Sequence, residues 1–300
     1  MPVFDIETDG LNVLSLFDGM SCGQIALQKA GVKVANYYAS EIKKSAIKCT
    51  QSNYPNTVQL GDVTKIKASN LPRIDLLIGG SPCQDFSRLK VGGLGLEGDK
   101  SKLFYEYIRL KQEVRPKYFL LENVQMKSKS EFALNDYLGV EGLHINSSLV
   151  SYQKRPRVYW TNIPKASCPL DRNVSFQDYK ETNIEVCKRY ALNKTPSRER
   201  MWNNGLGNNS LNSCANVTYK DKIYCLTRKQ DRSPNSGLVA LGDWCRYLTR
   251  GELEQAQTVP LGYTKSVSIN QAQDLLGDGW TVDVIAHLFK GLNGESNASL

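Results

Sequence analysis

Histidine is scarce in this chain, and closely spaced cysteines and long apolar runs are missing from it. There are two histidines, and the eight cysteines lie at least eleven positions apart. Neither a zinc centre nor another metal site is therefore predicted. No apolar run approaches the ~18 residues of a membrane span, and the polar start MPVFDIETDG does not resemble a signal peptide. We expect a soluble, cytoplasmic protein with reduced thiols, no metal and no membrane contact.

Acidic residues are few in one part of the chain. Residues 151–250 contain 18 Lys/Arg against 8 Asp/Glu, whereas the remainder contains 20 against 22. One segment therefore carries the whole net charge of +8. Such a segment fits a surface that follows a phosphate backbone. A basic surface that only keeps the protein soluble explains the charge equally well.

Short apolar runs alternate with helical patterns in the first half, which is typical of βα units around a parallel sheet. Strands are predicted at 13–16, 34–39, 75–78 and 118–121, each followed by a polar or glycine-bearing segment. Ligands bind beyond the carboxyl ends of such strands. We expect an α/β catalytic domain over 1–164, a small irregular domain over 165–245, and a segment over 246–300 that returns to the first domain.

Helices are predicted at three places in the chain. Apolar residues recur at helical spacing over 103–108 and again over 282–289. Thr249 and Glu252 have the spacing of a capping box, which predicts a helix that begins just after Thr249. The helix at 282–289 has one apolar face, so we expect it to pack on a core.

Three of the strand ends carry residues suited to an adenosine. LSLFDGMSCG at 14–23 combines a strand, a glycine turn and a helix, but it lacks GxGxxG and GK[ST], which argues against NAD and ATP. Glu41 follows the second strand, where a carboxylate accepts hydrogen bonds from ribose hydroxyls. Asp62 is suited to an adenine amino group. Each acid alone is more often a helix cap. Together they favour a pocket that binds adenosine but has no phosphate-binding residues, which suits S-adenosylmethionine.

Two further segments carry reactive groups. Cys83 follows Pro82 on the loop after the third predicted strand, and its glycine-rich, polar surroundings argue against a buried structural thiol. No histidine lies near it in sequence to act as its base. Glu122 follows an apolar strand, where a partly desolvated carboxyl suits proton exchange with a ring nitrogen. Its alternative role is a helix N-cap.

The sequence QKRPR places two arginines close together. Gln153, Arg155 and Arg157 alternate, so in an extended strand all three point to one face. Two guanidiniums on one face favour an anionic or polarised oxygen partner.

Taken in chain order, these motifs resemble those of the DNA cytosine-5 methyltransferases. FDGMSCG is similar to the family's cofactor loop, SEI and GDV to its ribose and adenine contacts, and SPCQDFS to its nucleophile loop. ENV is similar to its proton-donor motif and QKRPR to its Gln-x-Arg-x-Arg signature. RYLTRGELEQAQTVPLGY and GDGWTVDVIAHLF resemble its two late motifs. The resemblance spans about 11–163 and 246–290, and its details look closest to animal de novo and phage enzymes.

The resemblance implies a Rossmann-like fold that uses S-adenosylmethionine, with a small target-recognition domain. It implies that Cys83 attacks carbon 6 of a flipped-out cytosine, that Glu122 serves its N3, and that Arg155 holds its O2 and orients Glu122. Arg157 would instead reach a phosphate, and Gln153 would brace the loop. The full set of implied catalytic positions is Pro82, Cys83, Glu122, Asn123, Gln153, Arg155 and Arg157.

Further positions follow from the same resemblance. The implied cofactor-binding residues are Phe17, Asp18, Gly19, Gly23, Glu41, Ile42, Asp62, Val63, Leu103, Trp280, Thr281 and Val282. The implied DNA contacts are Ser87, Arg88 and Arg157. The partner is double-stranded DNA, a monomer is favoured, and the setting is the cytoplasm of a bacterium or a phage-infected cell.

Three alternatives stay open at this point. A cytosine-5 methyltransferase of tRNA would show a second proline before the cysteine and a Cys-Phe-Thr triplet, but here the loop reads GSPC and no CFT occurs. A binding module that has lost activity would be expected to lack Cys83, Glu122 or the arginines. A nucleotide-dependent oxidoreductase fits the βα pattern but not the motifs.

Overall fold

The chain forms two units. The computed structural model describes residues 10–80, 101–207, 216–231 and 235–293. The first unit comprises the chain up to Ile145, Pro156–Cys168 and the part from Ile285 onward, and the second comprises Asn146–Arg155 and Pro169–Val284.

This division differs from the domain boundaries predicted above. We expected residues 246–300 to return to the first domain, but 246–284 lie in the second unit. The reason is a set of buried hydrogen bonds to the short segment 146–155. The Tyr152 hydroxyl donates to the carbonyl of Glu252, and the Gln153 amide donates to the carbonyl of Ala256 at 3.0 Å. These bonds tie the two segments to each other within the second unit.

A seven-stranded sheet is the basis of the first unit. Its strands are β1 (Leu11–Leu16), β2 (Val34–Ser40), β3 (Val58–Gln59), β4 (Leu76–Gly80), β5 (Tyr118–Val124), β6 (Leu143–Asn146) and β7 (Pro156–Thr161). The spatial order is β3-β2-β1-β4-β5-β7-β6. Neighbours from β3 to β5 are parallel, and β7 is antiparallel to β5. The predicted α/β fold and its four strands are confirmed.

In the described ranges, four α-helices lie between these strands: α1 (Cys22–Ala30), α2 (Lys44–Asn53), α3 (Ser101–Val114) and α4 (Ser128–Leu138). The helix predicted over 103–108 is confirmed within α3. Its Phe104 and Tyr107 are fully buried, in one apolar cluster with strand residues such as Leu77 and Leu121. Because both elements contribute apolar faces to one cluster, α3 is held against the sheet by the hydrophobic effect.

The second unit has less regular structure. Its elements are α5 (Ile184–Lys188), α6 (Glu199–Gly205), β8 (Val239–Leu241), β9 (Trp244–Arg246), α7 (Arg250–Ala256) and α8 (Ile269–Asp278), and α9 (Val282–Phe289) continues into the first unit. Strands β8 and β9 form a two-stranded antiparallel sheet. The predicted capping box of Thr249 and Glu252 is present at the start of α7.

Candidate active site

The order of the strands reverses between β1 and β4, which are neighbours in the middle of the sheet. The chain passes from β1 outward to β2 and β3, and then returns to β4 on the other side of β1. Such a reversal separates the loops that follow the two adjacent strands, and it is where ligands bind in open α/β sheets. The turn after β1 begins at Phe17, and β4 ends at Gly80, three positions before Cys83.

The turn that follows β1 has an unusual backbone. Phe17, Gly19 and Ser21 have φ angles of 57°, 60° and 64°. Left-handed φ is natural for glycine but costs on the order of 1 kcal/mol at Phe17 and at Ser21. The amide of Asp18 donates to the carbonyl of Ser40 at 3.1 Å, which ties the turn to the end of β2.

The side chain of Asp18 is turned into the protein. Its carboxylate accepts hydrogen bonds from the Ser21 hydroxyl at 2.6 Å and from the Tyr37 hydroxyl at 2.8 Å. Burial raises the pKa of Asp18 from 3.8 to about 6, although bonds from Ser15, Ser21 and Tyr37 oppose that shift. Asp18 was predicted as a cofactor ligand, but its carboxylate is used to hold the turn from within.

Gly23 was also predicted to contact the cofactor. Its packing gives a second reason why a glycine stands at this position. A Cβ at this position would lie 2.5 Å from Cδ1 of Ile78 and 2.7 Å from the hydroxyl of Tyr37. Both distances are too short for non-bonded atoms. The absent side chain therefore allows α1 to approach β2 and β4.

Glu41, just after β2, is joined to the same turn. One of its oxygens accepts the amide of Gly19 at 2.8 Å, and the other accepts the amides of Ile42 and Lys43 at 2.8 Å each. A carboxylate has about four acceptor positions, so capacity is left for a ribose hydroxyl. The Ile42 side chain is 74% exposed, and an exposed apolar surface beside this acid suits a flat heterocycle.

Asp62 follows β3 at the same edge of the sheet. One carboxylate oxygen accepts the backbone amide of Thr64 at 3.0 Å and its hydroxyl at 2.8 Å. These hydrogen bonds hold the pKa of Asp62 below its ordinary value, so it is an ionised acceptor at neutral pH. The next residue, Val63, has its side chain in the core, and Leu103 packs partly on that core. The predicted contact of Val63 with the cofactor stays a prediction.

Glu122 lies inside β5, not just beyond it as predicted. It is paired in register with Gly80, the last residue of β4, and with Tyr159 of β7. Glu122 is 8% exposed, and its carboxylate lies 2.9 Å from Nε of Arg157. The neighbouring Asn123 is buried, and its side-chain oxygen accepts the amide of Val124 at 2.8 Å. The register thus places a buried acid beside the strand end that precedes Cys83.

The roles predicted for the two arginines of QKRPR are exchanged in this geometry. We expected Arg155 to orient Glu122 and Arg157 to reach a phosphate, but the ion pair with Glu122 is made by Arg157. Strand β7 begins only at Pro156, so Gln153 and Arg155 precede it and the expected single alternating face does not form. In the register of β5 and β7, Arg157 stands opposite Val124, two residues beyond Glu122.

Arg155 belongs to the second unit and is 3% exposed. Its guanidinium donates to the carbonyls of Gly277 at 3.1 Å and Gly279 at 2.8 Å, and to the carbonyl of Leu226 at 3.2 Å. Helix α8 ends at Asp278, where carbonyls lack helical partners and the helix dipole is negative. Arg155 therefore caps the C-terminus of α8.

Gln153 is completely buried beside this cap. It accepts the amide of Leu226 at 2.8 Å and donates to the side chain of Gln257 at 3.1 Å. Gln257 in turn donates to the carbonyls of Leu276 and Gly279 at 2.6 and 3.1 Å. Two glutamines and one arginine thus hold the end of α8. That Gln153 braces the loop of the active site stays a prediction.

The segment after this cap carries the last three predicted cofactor residues. The Thr281 hydroxyl donates to the Gln257 side chain at 2.8 Å, and the Val282 amide donates to the Gln257 carbonyl at 2.9 Å. The side chains of Thr281 and Val282 are buried, whereas Trp280 is half-buried. Of the three, Trp280 offers the most accessible side chain.

Four predicted residues lie outside the described part of the chain. Pro82, Cys83, Ser87 and Arg88 fall within 81–100. Among the residues that are described, no three or more His, Cys, Asp or Glu side chains cluster so as to hold a metal ion. Within those same ranges, no helix has the length and apolar character needed to cross a membrane.

Sequence reasoning missed several buried polar residues around these sites. Tyr37 supports Asp18, and Gln257 supports the end of α8. Arg246 and Glu252 form a buried ion pair with two 2.8 Å bonds in the second unit. Tyr37 and Arg246 each lie in a strand and Gln257 follows a helix, but no local spacing identifies the distant group that each one contacts.

The sequence is similar to those of known DNA methyltransferases. A family described as C-5 cytosine-specific DNA methylase matches residues 11–293. The orphan methyltransferase M.Rho11sI of Bacillus phage rho11s is 44% identical over 119 residues, which is 38% of this chain and 23% of that protein. The type II methyltransferase M.NlaIV of Neisseria lactamica is 37% identical over 119 residues, 38% of this chain and 28% of the relative. The match thus spans about a quarter of these curated relatives.

Solved structures match over a much larger share. A variant of DNMT2 from Spodoptera frugiperda has a TM-score of 0.72 at 18% identity, covering 94% of this chain and 99% of that one. The methyltransferase EhMeth of Entamoeba histolytica has a TM-score of 0.75 at 14% identity, covering 94% and 98%. At these identities the likeness concerns the fold alone, which the chain shares with these two methyltransferases.

Proposed function

The chain belongs to the C-5 cytosine-specific DNA methylase family, and on that premise we propose that it methylates carbon 5 of cytosine in double-stranded DNA, using S-adenosylmethionine. The observation that carries the proposal is the buried pair of Glu122 and Arg157 beside Gly80, three positions before Cys83. Its relatives include phage and bacterial methyltransferases, which supports bacterial or phage DNA as the substrate.

Cys83 is proposed as the nucleophile. Its thiolate sulfur forms a bond to carbon 6 of the cytosine, which turns carbon 5 into the nucleophilic centre of an enamine. After carbon 5 has received the methyl group, it loses its proton to water, and elimination breaks the bond between sulfur and carbon 6. Cys83 is thereby regenerated.

Glu122 is proposed to act at N3 of the same ring. Negative charge develops on the ring when the thiolate adds, and a proton held between the carboxyl and N3 disperses that charge. The 2.9 Å contact with Arg157 fixes the direction of the carboxyl. Arg157 also brings a positive charge next to the ring, where the cytosine O2 needs a donor. We therefore assign to Arg157 the role in orienting Glu122.

The adenosine end of the cofactor fits the edge formed by β1, β2 and β3. We propose that Phe17 and Ile42 contact the adenine, that Asp62 accepts from its amino group and that Glu41 accepts from the ribose. Glu41 and Asp62 both retain acceptor capacity there. When bound, S-adenosylmethionine supplies an electrophilic methyl group.

The target carbon is hidden inside a duplex, so the cytosine must leave the stack, which costs a few kcal/mol. We propose that the basic segment 151–250 binds the phosphate backbone and helps to meet this cost. Ser87 and Arg88 are proposed as further phosphate contacts.

A methylation assay tests the proposal. The protein is incubated with S-adenosylmethionine and plasmid DNA, and the DNA is then sequenced after bisulfite treatment. We expect protected cytosines in a defined sequence context for the wild type and none for Cys83→Ala. Wild-type protein that protects no cytosine overturns the proposal.

Transfer RNA serves as a second substrate in the same assay, with RNA bisulfite sequencing as the readout. Methylation that depends on Cys83 in RNA, but not in DNA, assigns the activity to RNA instead.

Glu122→Gln, which keeps the shape of the side chain, is expected to lower the single-turnover rate by about 10²-fold, in the range for loss of acid–base catalysis.

A further inference from the structure

The turn from Phe17 to Ser21 is held by one enclosed carboxylate. Asp18 receives the hydroxyl protons of Ser21 at 2.6 Å and Tyr37 at 2.8 Å, so it ties the start of α1 to strand β2. Gln24 extends this network, since its amide donates to the Ser21 hydroxyl at 2.9 Å and to the Thr57 hydroxyl at 2.8 Å. The conformation of the turn therefore depends on an acceptor at position 18.

The outer surface of the same turn faces the proposed cofactor edge. The amide of Gly19 donates to Glu41, the proposed ribose acceptor, at 2.8 Å. Phe17, the proposed adenine contact, takes a left-handed φ of 57°. A phenylalanine adopts that conformation only where its surroundings impose it. Asp18 lies between these two residues, so its bonds fix both of them.

An ionised carboxylate in this position is costly to the fold. Burial is the largest cause of the raised pKa of about 6, and the negative charge of Glu41 adds to it. The groups that face the carboxylate are the hydroxyls of Ser15, Ser21 and Tyr37, all of them neutral donors. Burial also raises the pKa of Tyr37, so this hydroxyl keeps its proton. Among the described residues, no cation contributes to this pKa, so the charge is held by hydrogen bonds.

We propose that Asp18 is a positioning residue for the cofactor: its carboxylate holds Phe17 and Gly19 in the arrangement that receives the adenosine, at the expense of stability. This inference rests on the proposed function, because it concerns the same cofactor site. It assigns to Asp18 an indirect role, through the backbone of the turn and Glu41.

The pH dependence follows from the direction of the shift. A carboxyl whose pKa is raised in the folded state binds its proton more tightly there than in the unfolded chain. The folded state therefore loses stability as the pH rises from about 4 to about 6. Above that range the full cost is present. A neutral amide at position 18 avoids this cost.

The test compares Asp18→Asn with the wild type as full chains. Binding of S-adenosylhomocysteine is measured by calorimetry between pH 5 and pH 7.5, and thermal unfolding is measured without ligand over the same range. At pH 7.5 we expect Asp18→Asn to bind at least about tenfold more weakly and to unfold at an equal or higher temperature. As the pH falls, wild-type affinity should approach that of the variant, whose own affinity should stay constant.

Two further variants sharpen the comparison. Asp75→Asn is the matched control, because Asp75 precedes β4 and accepts the amide of Asn12 at 2.9 Å, away from the turn. Its affinity for the ligand should equal that of the wild type. Tyr37→Phe removes one donor to Asp18 and should weaken binding by a few fold.

Each contrary result has a distinct meaning. If Asp18→Asn binds within twofold of the wild type at pH 7.5, the inference is overturned. It is also overturned if the variant loses both affinity and thermal stability, because Asp18 is then a structural residue. If the wild type does not bind the ligand at any pH, the proposed use of the cofactor fails and the inference fails with it.

Discussion

Arg155 and Arg157 are two positions apart, yet their guanidiniums meet different kinds of acceptor. Arg157 faces a carboxylate, Glu122, whereas Arg155 faces the carbonyl oxygens at the end of α8. A carboxylate is a charged partner that fixes the guanidinium plane, and carbonyls at a helix terminus add a favourable dipole. One arginine therefore serves the proposed chemistry, and the other serves the fold of the second unit.

Replacement of each arginine by lysine separates these roles. Arg157→Lys keeps the charge but loses the Nε–H contact, so we expect the single-turnover rate of methyl transfer to fall by about 10²-fold with little change in unfolding temperature. Arg155→Lys cannot reach several carbonyls at once. It should cost about 1–2 kcal/mol in the free energy of unfolding and change the rate by only a few fold.

The measurements are rapid-quench kinetics with saturating DNA and denaturant titrations of the same preparations. The opposite pattern, with the larger rate loss at Arg155, would return the roles to those predicted from the sequence. At the scale of residues, the sequence shows which side chains can donate hydrogen bonds, but it does not predict which groups accept them. The carbonyl acceptors of Arg155 lie 71 to 124 positions away, and only the folded chain brings them together.

At the scale of elements, two helices begin with the same device in different surroundings. The capping box of α7 pairs Thr249 with Glu252 and is buried, whereas that of α8 pairs Ser268 with Gln271 and is exposed. Glu252 also accepts two hydrogen bonds from Arg246. The first box is therefore part of a buried ionic network, and the second is only a helix cap.

Removal of each cap is expected to have unequal effects. Thr249→Ala should lower the free energy of unfolding by about 2 kcal/mol, because it weakens a buried cap, and Ser268→Ala by about 0.5 kcal/mol, because water replaces an exposed one. Denaturant titration of both variants provides the measurement, with Ser268→Ala as the matched control. Equal losses would show that burial of the first box adds nothing.

Elements were predicted best where local patterns decide them. The four strands, the helix around Phe104 and the start of α7 follow from apolar spacing and capping, which act within a few residues. The end of β5 was misplaced, because a glutamate normally stops an apolar strand. Here Arg157 from the neighbouring strand satisfies the carboxylate, so β5 continues through Glu122 to Val124.

Over the whole molecule, charge is distributed unevenly along the chain. The basic segment lies mainly in the second unit, where exposed Lys220 lies over the ring of Tyr224 at 5.2 Å and contacts its hydroxyl at 3.0 Å. An ammonium held beside an aromatic ring is partly pre-organised for a phosphate. Lys220 is therefore a suitable place to test whether the excess charge binds DNA.

Lys220→Ala should weaken DNA binding at all sequences and lower the slope of log affinity against log salt by about 1, the value for one lost phosphate contact. Fluorescence anisotropy of a labelled duplex at several salt concentrations measures the slope. Lys48→Ala, which removes an exposed lysine from α2 of the first unit, is the control and should leave it unchanged. Equal slopes for both variants would mean that the charge only serves solubility.

The division into units was the least predictable feature at this scale. Composition distinguished the irregular region from the βα region, but it could not show that 146–155 and 246–284 join that region. Those assignments depend on single buried contacts, such as those of Tyr152 and Gln153, between segments about a hundred residues apart.

The interleaved path of the chain also sets the order in which the protein can be made. The first unit needs residues from Ile285 onward, where Asn293 donates to the carbonyl of Ala30 at 2.7 Å. When the ribosome has synthesised every strand of the sheet, it has not yet synthesised the residues from Ile285 onward. The first unit therefore lacks its residues from Ile285 onward while Pro169–Val284 of the second unit are synthesised. Neither unit can mature from a single continuous stretch of nascent chain, so the first unit is completed only after the second unit has been synthesised up to Val284.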